Sequence, residues 1–338
     1  MAEQRALIAL DWGSSSLRAY LMSDAGKVLE TRSSDDGASR LSVDVAVADR
    51  PAVFERHLRS LVPDWLASGP PVLACGMVGS AHGWCEADYL ECPVDIAALH
   101  ERLVAVEGSD GLRVRIVPGV SRHPVGAAPD VMRGEETQVA GVLARDARLA
   151  NGVAWIVLPG THSKWVKVEN GRIVSFATRM TGELFELLRS HSVLGRSLAP
   201  STTFDADAFE RGCTAARVAG GADVARLLFG VRTLGLFGRM PATSLVDYLS
   251  GVLIGAELAA ALVDIEADVP LVLAGDERLC DRYRRGLAHF GRSCDETIVD
   301  ASALGLWQIA RAASGTARRP RITSPAGRRT SPGRRCRR

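Results

Sequence analysis

No stretch of the chain approaches the ~18 or more consecutive apolar residues that a membrane-crossing helix requires. Nor does it open with a basic segment leading into an apolar core and a cleavage site, so the expected location is the cytoplasm, away from membranes. The seven cysteines (Cys75, Cys85, Cys92, Cys213, Cys280, Cys294, Cys336) are odd in number, scattered and free of any C-x-x-C pair. That spacing argues against a disulfide framework and a structural zinc site and leaves reduced thiols. Residues 316–338 contain no acid and nine arginines, so the overall charge of +2 leaves −7 for the rest of the chain once those nine are set aside. The tail, rich in Pro, Gly, Ser and Arg and without apolar periodicity, is expected to be disordered. No aromatic residues interleave with its charge, so no nucleic-acid partner is expected.

What is present is a chain of 338 residues, 47% hydrophobic, long enough for two packed domains. Its opening apolar run, 7–10, has strand character and delivers one carboxylate, Asp11, to a small-residue turn, 13–16. Strand alternation then resumes from Leu17. A Gly/Ser turn lets backbone N–H groups approach phosphate oxygens, and an Asp at a strand end can hold a divalent metal through water. An ordinary hairpin with an Asp-capped turn fits the same residues.

The pattern restarts near residue 150. Strand, polar turn, strand, hairpin and strand occur over 7–32 and again over 153–178, where 159–163 is the polar turn and Asn170-Gly171 marks the hairpin. Such a repeat points to internal duplication. Each half also holds a buried strand running into glycine, Cys75-Gly76 in the first and Ala274-Gly275 in the second. Residues 77–84 form a candidate substrate loop, because glycine beyond a buried strand lets a ligand or another backbone come close. The remainder reads as helices over 51–66, with a kink or early end at Pro63, and over 182–194, 206–219, 222–237, 245–263, 279–287 and 303–312. In 245–263, Gly251 and Gly255 suggest close packing or close approach to a ligand. After a strand at 114–117 a loop carries the chain to a helix opening on Glu135 and Glu136. Two acids there suit the helix dipole, and one of them could face a cleft and take a proton from a substrate hydroxyl.

Asp11-Trp12-Gly13-Ser14-Ser15-Ser16, Leu158-Pro159-Gly160-Thr161-His162-Ser163 and Leu273-Ala274-Gly275-Asp276 resemble, in order and spacing, the phosphate and adenosine turns of the actin, Hsp70 and sugar-kinase superfamily. Within it the chain is similar to the 2-dehydro-3-deoxygalactonokinases. The further motifs that carry this are Gly76-Met77-Val78-Gly79-Ser80 with Gly83-Trp84, Met132-Arg133-Gly134-Glu135-Glu136-Thr137-Gln138, and Met180-Thr181-Gly182-Glu183-Leu184. The resemblance implies an α/β fold of two ribonuclease-H-like domains around an ATP cleft: 1–150 with the first phosphate turn and substrate loop, 151–315 with the second phosphate turn and adenosine site, and 316–338 as tail. A hinge is expected at 146–152.

The implied activity is transfer of the γ-phosphoryl group of ATP to the 6-hydroxyl of 2-keto-3-deoxy-galactonate. On that resemblance Asp11 organises Mg²⁺, Gly13, Ser14, Ser15, Gly160 and Thr161 hold phosphates, and Gly275 with Asp276 accommodates adenosine. The base is Glu135 or Glu136, with Glu136 slightly favoured. Arg18, Met77, Gly79, Ser80, Trp84, Arg133, His162, Lys164 and Arg179 are the substrate candidates, the arginines being suited to a carboxylate. A kinase for another sugar or sugar acid, a nucleotide or polyphosphate hydrolase, and a non-enzymatic ATP switch are the alternatives. Oligomeric state is not legible.

Overall fold

The computed structural model describes residues 4–220 and 223–317. Three strands, Arg5–Trp12, Leu17–Ser23 and Val28–Ser34, form an antiparallel meander, and Val72–Cys75 and Arg113–Ile116 extend it in parallel from Arg5–Trp12. Val104–Glu107 closes that edge antiparallel. Residues 7–10 and 72–75 are buried throughout, as continuous apolar runs should be when helices cover both faces of a sheet. The second sheet repeats the order: Arg172–Arg179, Ser163–Glu169, Val153–Leu158, then Leu271–Ala274 and Glu296–Ile298 in parallel. Positive φ at Asn170 and Gly171 makes the hairpin turn that their sequence signals. The duplication is thus a property of the fold, and the architecture is the α/β, actin-like one that the resemblance implies.

The two halves share one core. Leu7 and Ala9 of the first sheet belong to the same buried cluster as Ile156 and Val166 of the second, with Val139, Leu306 and Ile309 between them. Those last three come from the helices Glu135–Arg145 and Ala301–Ala317, which meet at glycine. A Cβ on Gly305 would sit 1.9 Å from the Thr137 carbonyl oxygen, and one on Gly141 would sit 2.0 Å from that of Ala301. Because the obstacle is backbone on both sides, Gly305→Ala is expected to lower the unfolding free energy by about 3 kcal/mol in a urea titration. Gly230→Ala, on the helix Val224–Leu236 with open space around it, should instead be neutral or stabilising by up to ~1 kcal/mol. Similar values for the two would show that the helices do not meet this closely.

The structure adds several short strands to the sequence reading, Val104–Glu107 among them. Where a loop was expected between 117 and 131, Gly119–Arg122 pairs with Asp130–Met132 on one side and with Tyr89–Glu91 on the other in a small sheet. Strands of three or four residues are too short to show an alternation. Asp130 accepts hydrogen bonds from the Thr178 N–H and hydroxyl, and Arg122 donates to the Phe176 carbonyl, which ties this sheet to the second half. Val94–Asp95 also crosses over, pairing with Arg172 and Ile173. Pro63 divides its helix into Arg50–Leu61 and Pro63–Ala67, as expected, whereas the last helix extends beyond 303–312 to Ala301–Ala317. Residues 318–338, most of the expected disordered tail, lie outside the described residues.

Gly251 and Gly255 serve packing. Cβ atoms there would meet Phe209 O at 2.0 Å and Cys213 Cα at 2.9 Å on the helix Ala206–Val218. One stretch, Leu245–Asp264, is long and apolar enough by length and composition to cross a membrane, contrary to the sequence expectation, but 72% of its apolar window is buried inside this fold.

Candidate active site

Asp11 lies near the end of the central strand, in register with Arg18 on one side and Cys75 on the other. Its Oδ2 accepts a hydrogen bond from Ser302 Oγ at 2.7 Å and lies 3.8 Å from Arg18 Nη2. Burial pushes the carboxyl up; the Ser302 bond and Arg18 oppose this, and Asp300 reinforces it. The following turn closes through Gly13 N–H to the Ser16 carbonyl, 2.9 Å. Gly13 and Ser14 line a cleft of about 450 Å³ between the halves, and Ser15 is exposed beyond it.

Across the cleft the strand Val153–Leu158 delivers Gly160, Thr161, His162 and Lys164. Thr161 O accepts from Glu183 N–H, and His162 Nε2 meets the Glu183 carboxylate. Lys164 is only 4% exposed, and its Nζ lies 3.2 Å from Glu135 Oε1.

The two acids at the start of Glu135–Arg145 part company. Glu135 lines the cleft, and its Oε2 accepts from Arg133 N–H at 2.9 Å. Glu136 is fully buried, its Oε2 accepting from Gly134 N–H at 2.7 Å and its Oε1 from Thr137 Oγ1 at 2.9 Å. Gly134, at φ +108°, makes this divergence possible; a Cβ there would be 3.1 Å from the Gly76 Cα. Glycine beyond the buried strand therefore admits another backbone at this point.

Burial, aided by the Glu135 charge, raises the Glu136 pKa to about 8, against the bonds from Thr137 and Gly134. A carboxyl raised in the folded state binds its proton more tightly there than in the unfolded chain. The stability it contributes is present at low pH and is lost as pH rises from about 4.5, the ordinary value for the carboxyl, through about 8. Glu136→Gln should remove that loss, gaining a few kcal/mol relative to wild type between about pH 5 and 9 in chemical denaturation series. Parallel pH profiles for the two proteins would refute it.

Met77, Arg133 and, unforeseen from sequence, Tyr89 and Gln138 complete the walls. Arg133, 8% exposed, lies over the Tyr89 ring at 4.2 Å and donates from Nη2 to the Ala87 carbonyl at 2.7 Å. Its buried Nη1 has no hydrogen-bond partner among the described residues. Gly79 lies beneath this guanidinium, where a Cβ would be 3.1 Å from Nη1. Ser80 closes its own turn by donating to the Met77 carbonyl, and Trp84 packs in the core against Trp12 and Phe54. Neither is among the cleft walls. Arg18 stands beside Asp11, within the fields of Asp300 and Asp276. Arg179 sits 5.6 Å from the Trp165 ring centroid, and its buried Nη1 has no hydrogen-bond partner among the described residues.

Gly275, at φ +146°, donates its N–H to the Ile298 carbonyl, a conformation that L side chains rarely adopt. Asp276 caps the helix Glu277–His289 by accepting from Leu279 N–H at 3.0 Å. Leu279 and Tyr283 of that helix, with Phe185, Leu253, Ile254 and Gly160, enclose a mainly apolar pocket of about 160 Å³ beside the second turn.

A family model described as 2-keto-3-deoxy-galactonokinase matches residues 11–309. The 2-dehydro-3-deoxygalactonokinase of Escherichia coli (strain K12) is 36% identical over 313 residues, covering 90% of this chain and 97% of that protein. "Probable 2-dehydro-3-deoxygalactonokinase DgoK1" of Rhizobium meliloti (strain 1021) is 34% identical over 315 residues, covering 89% and 97%. A crystal structure of a Sinorhizobium meliloti relative, 34% identical, superposes with a TM-score of 0.78 over 90% of this chain and 98% of its own. With the cleft, the duplicated turns and these matches together, the chain belongs to the 2-keto-3-deoxy-galactonokinase family.

Proposed function

We propose that the chain transfers the γ-phosphoryl group of ATP to the 6-hydroxyl of 2-dehydro-3-deoxy-D-galactonate, giving the 6-phosphate and ADP in galactonate breakdown. The observation that carries this is a single cleft on which Asp11, Glu135 and two glycine-bearing turns, one from each half, converge. Glu135, rather than Glu136, is the base in this reading, because only its carboxylate faces the cleft. It accepts the hydroxyl proton as the sugar oxygen bonds to the γ-phosphorus and the bond from that phosphorus to the ADP oxygen breaks. Lys164, held beside Glu135, offsets charge on the transferring group.

The turns at Gly13-Ser14 and Gly160-Thr161 grip the phosphates, with Ser15 at the outer rim. The apolar pocket beyond Gly160 takes the adenine, with Gly275 and Asp276 shaping its approach. Asp11 would hold Mg²⁺. Its carboxyl is pushed up by burial and by Asp300, a disfavoured charge that a cation relieves. Among the described residues no group of three or more metal-ligating side chains exists, which suits an ion bound by one carboxylate and substrate phosphates. Bound Mg²⁺ neutralises phosphate charge. Arg133 reads the sugar carboxylate, with Met77, His162 and Tyr89 around the sugar, Gly79 and Ser80 supporting the loop, and Arg18 and Arg179 at the periphery. Residues 146–152 are the hinge between domains 1–150 and 151–315. Free thiols at all six described cysteines suit the cytoplasm.

The test is ATP-dependent phosphorylation of a panel of 2-keto-3-deoxy sugar acids and plain hexoses. Turnover of the galactonate derivative alone is expected. Phosphate release from ATP regardless of sugar, or preference for a neutral hexose, would overturn the assignment.

A further inference from the structure

Glu257 is an acidic residue in the C-terminal third of the core helix Leu245–Ala261, 5% exposed and without a salt bridge among the described residues. Four neutral donors surround it. Oε1 accepts from Ser163 Oγ at 2.7 Å and from Trp165 Nε1 at 2.6 Å, while Oε2 accepts from Tyr283 Oη at 2.8 Å and from Thr181 Oγ1. A carboxylate offers about four acceptor sites and no donor, and an indole N–H can only donate, so this set matches the ionised side chain. Burying an anion without a cation is costly, and an apolar residue would fill a purely structural position more cheaply. The location of the four donors supplies the reason for the charge.

Each donor belongs to a segment that borders the nucleotide side of the cleft. Ser163 ends the second turn, and Trp165 lies two residues beyond it on the strand Ser163–Glu169. Thr181 opens the helix Thr181–His191, whose Gly182 is so close to the second turn that a Cβ would lie 2.3 Å from Gly160 O. Tyr283 lies on the helix that follows Gly275 and forms a wall of the apolar pocket, as do Thr181, Gly182 and Gly160. Glu257 itself does not line that pocket. We propose that Glu257 is a positioning residue that locks the second phosphate turn and the adenosine-side helix into one rigid frame through Ser163, Trp165, Thr181 and Tyr283, so that nucleotide binding depends on it and sugar-acid binding does not. The inference rests on the proposed placement of ATP in this cleft.

The test titrates the full-length chain with a non-hydrolysable ATP analogue and Mg²⁺, and measures KM for ATP and for the sugar acid separately. Glu257→Gln keeps the volume but replaces two acceptor sites with donors. It is expected to weaken analogue binding and raise KM for ATP on the order of tenfold, the effect of about one lost charge-assisted hydrogen bond, with KM for the sugar acid within about twofold of wild type. Equal loss of both substrates, or unchanged analogue affinity in a folded variant, would overturn the proposal. Should Glu257→Gln fail to fold, Tyr283→Phe, which removes one donor and no packing, decides in the same titration: weaker analogue binding supports the frame and unchanged binding overturns it. Wild-type protein that binds no analogue would overturn the placement of ATP itself, a result distinct from the others because it needs no variant.

Discussion

Glu135→Gln is expected to lower kcat by on the order of 10³ while leaving KM for both substrates within a few-fold, because a positioned general base contributes roughly 10² to 10⁴. The amide keeps the geometry: its carbonyl oxygen can still accept the Arg133 N–H that Glu135 Oε2 accepts now. What it cannot do is take a proton from the sugar. Glu135→Asp preserves the basicity but shortens the reach by one methylene, and a misplacement of that size can cost about 10². Glu136→Gln should stay within about tenfold of wild type at neutral pH, since burial already favours its protonated form and an amide is the nearest mimic of that form. Single-turnover transfer from ATP to sugar, run beside thermal unfolding of each variant, separates lost chemistry from lost fold. An active Glu135→Gln beside an inactive, folded Glu136→Gln would move the base one residue along the helix.

That one-residue choice marks the limit of what the sequence carries. The strands, hairpins and phosphate-type turns were legible because their signals are local: alternation over six to eight residues, then Gly, Ser or Asn-Gly. The acid pair at a helix start was legible too. Which acid faces the cleft depends on the ~100° rotation between successive helical residues and on the φ of Gly134, set by contact with Gly76 58 positions earlier in the chain. Ser302 reaches Asp11 across 291 residues, and nothing around it in the sequence marks that meeting. Glu257 reads locally as a stray acid in an apolar helix, and only the assembled fold brings its four donors together. Trp84 shows the converse. It belongs to a motif beside the substrate loop, yet its ring is part of the aromatic cluster that supports the loop from behind. Motif membership located the region, and packing decided which side chains face the cleft.

Arg133→Met is expected to raise KM for the sugar acid by about 10², with kcat reduced far less. The argument begins with what the guanidinium lacks. Arg133 is buried, yet among the described residues its side chain bonds to a carbonyl and a phenol hydroxyl and stacks on that phenol ring, with no salt bridge; Glu135 bonds to its backbone N–H instead. Nη1 is buried and has no hydrogen-bond partner among the described residues. A buried cation without a counter-anion is held at a cost that a carboxylate entering the cleft can relieve, and truncating one partner of such a pair costs roughly 2–5 kcal/mol, a factor of ten for each ~1.4 kcal/mol. Methionine matches the length and removes the charge. Arg133→Lys should recover little, because a point charge cannot reproduce either the planar fork or the stack on Tyr89. The decisive comparison is a cycle between protein and ligand: wild type and Arg133→Met, each with the sugar acid and with its C1 amide. If Arg133 reads the carboxylate, the amide is poor for wild type, and the variant treats acid and amide alike. An amide as good as the acid for wild type, or a variant that still prefers the acid by about 10², would transfer the carboxylate to another group of the cleft, with Lys164 as a further cation on its walls.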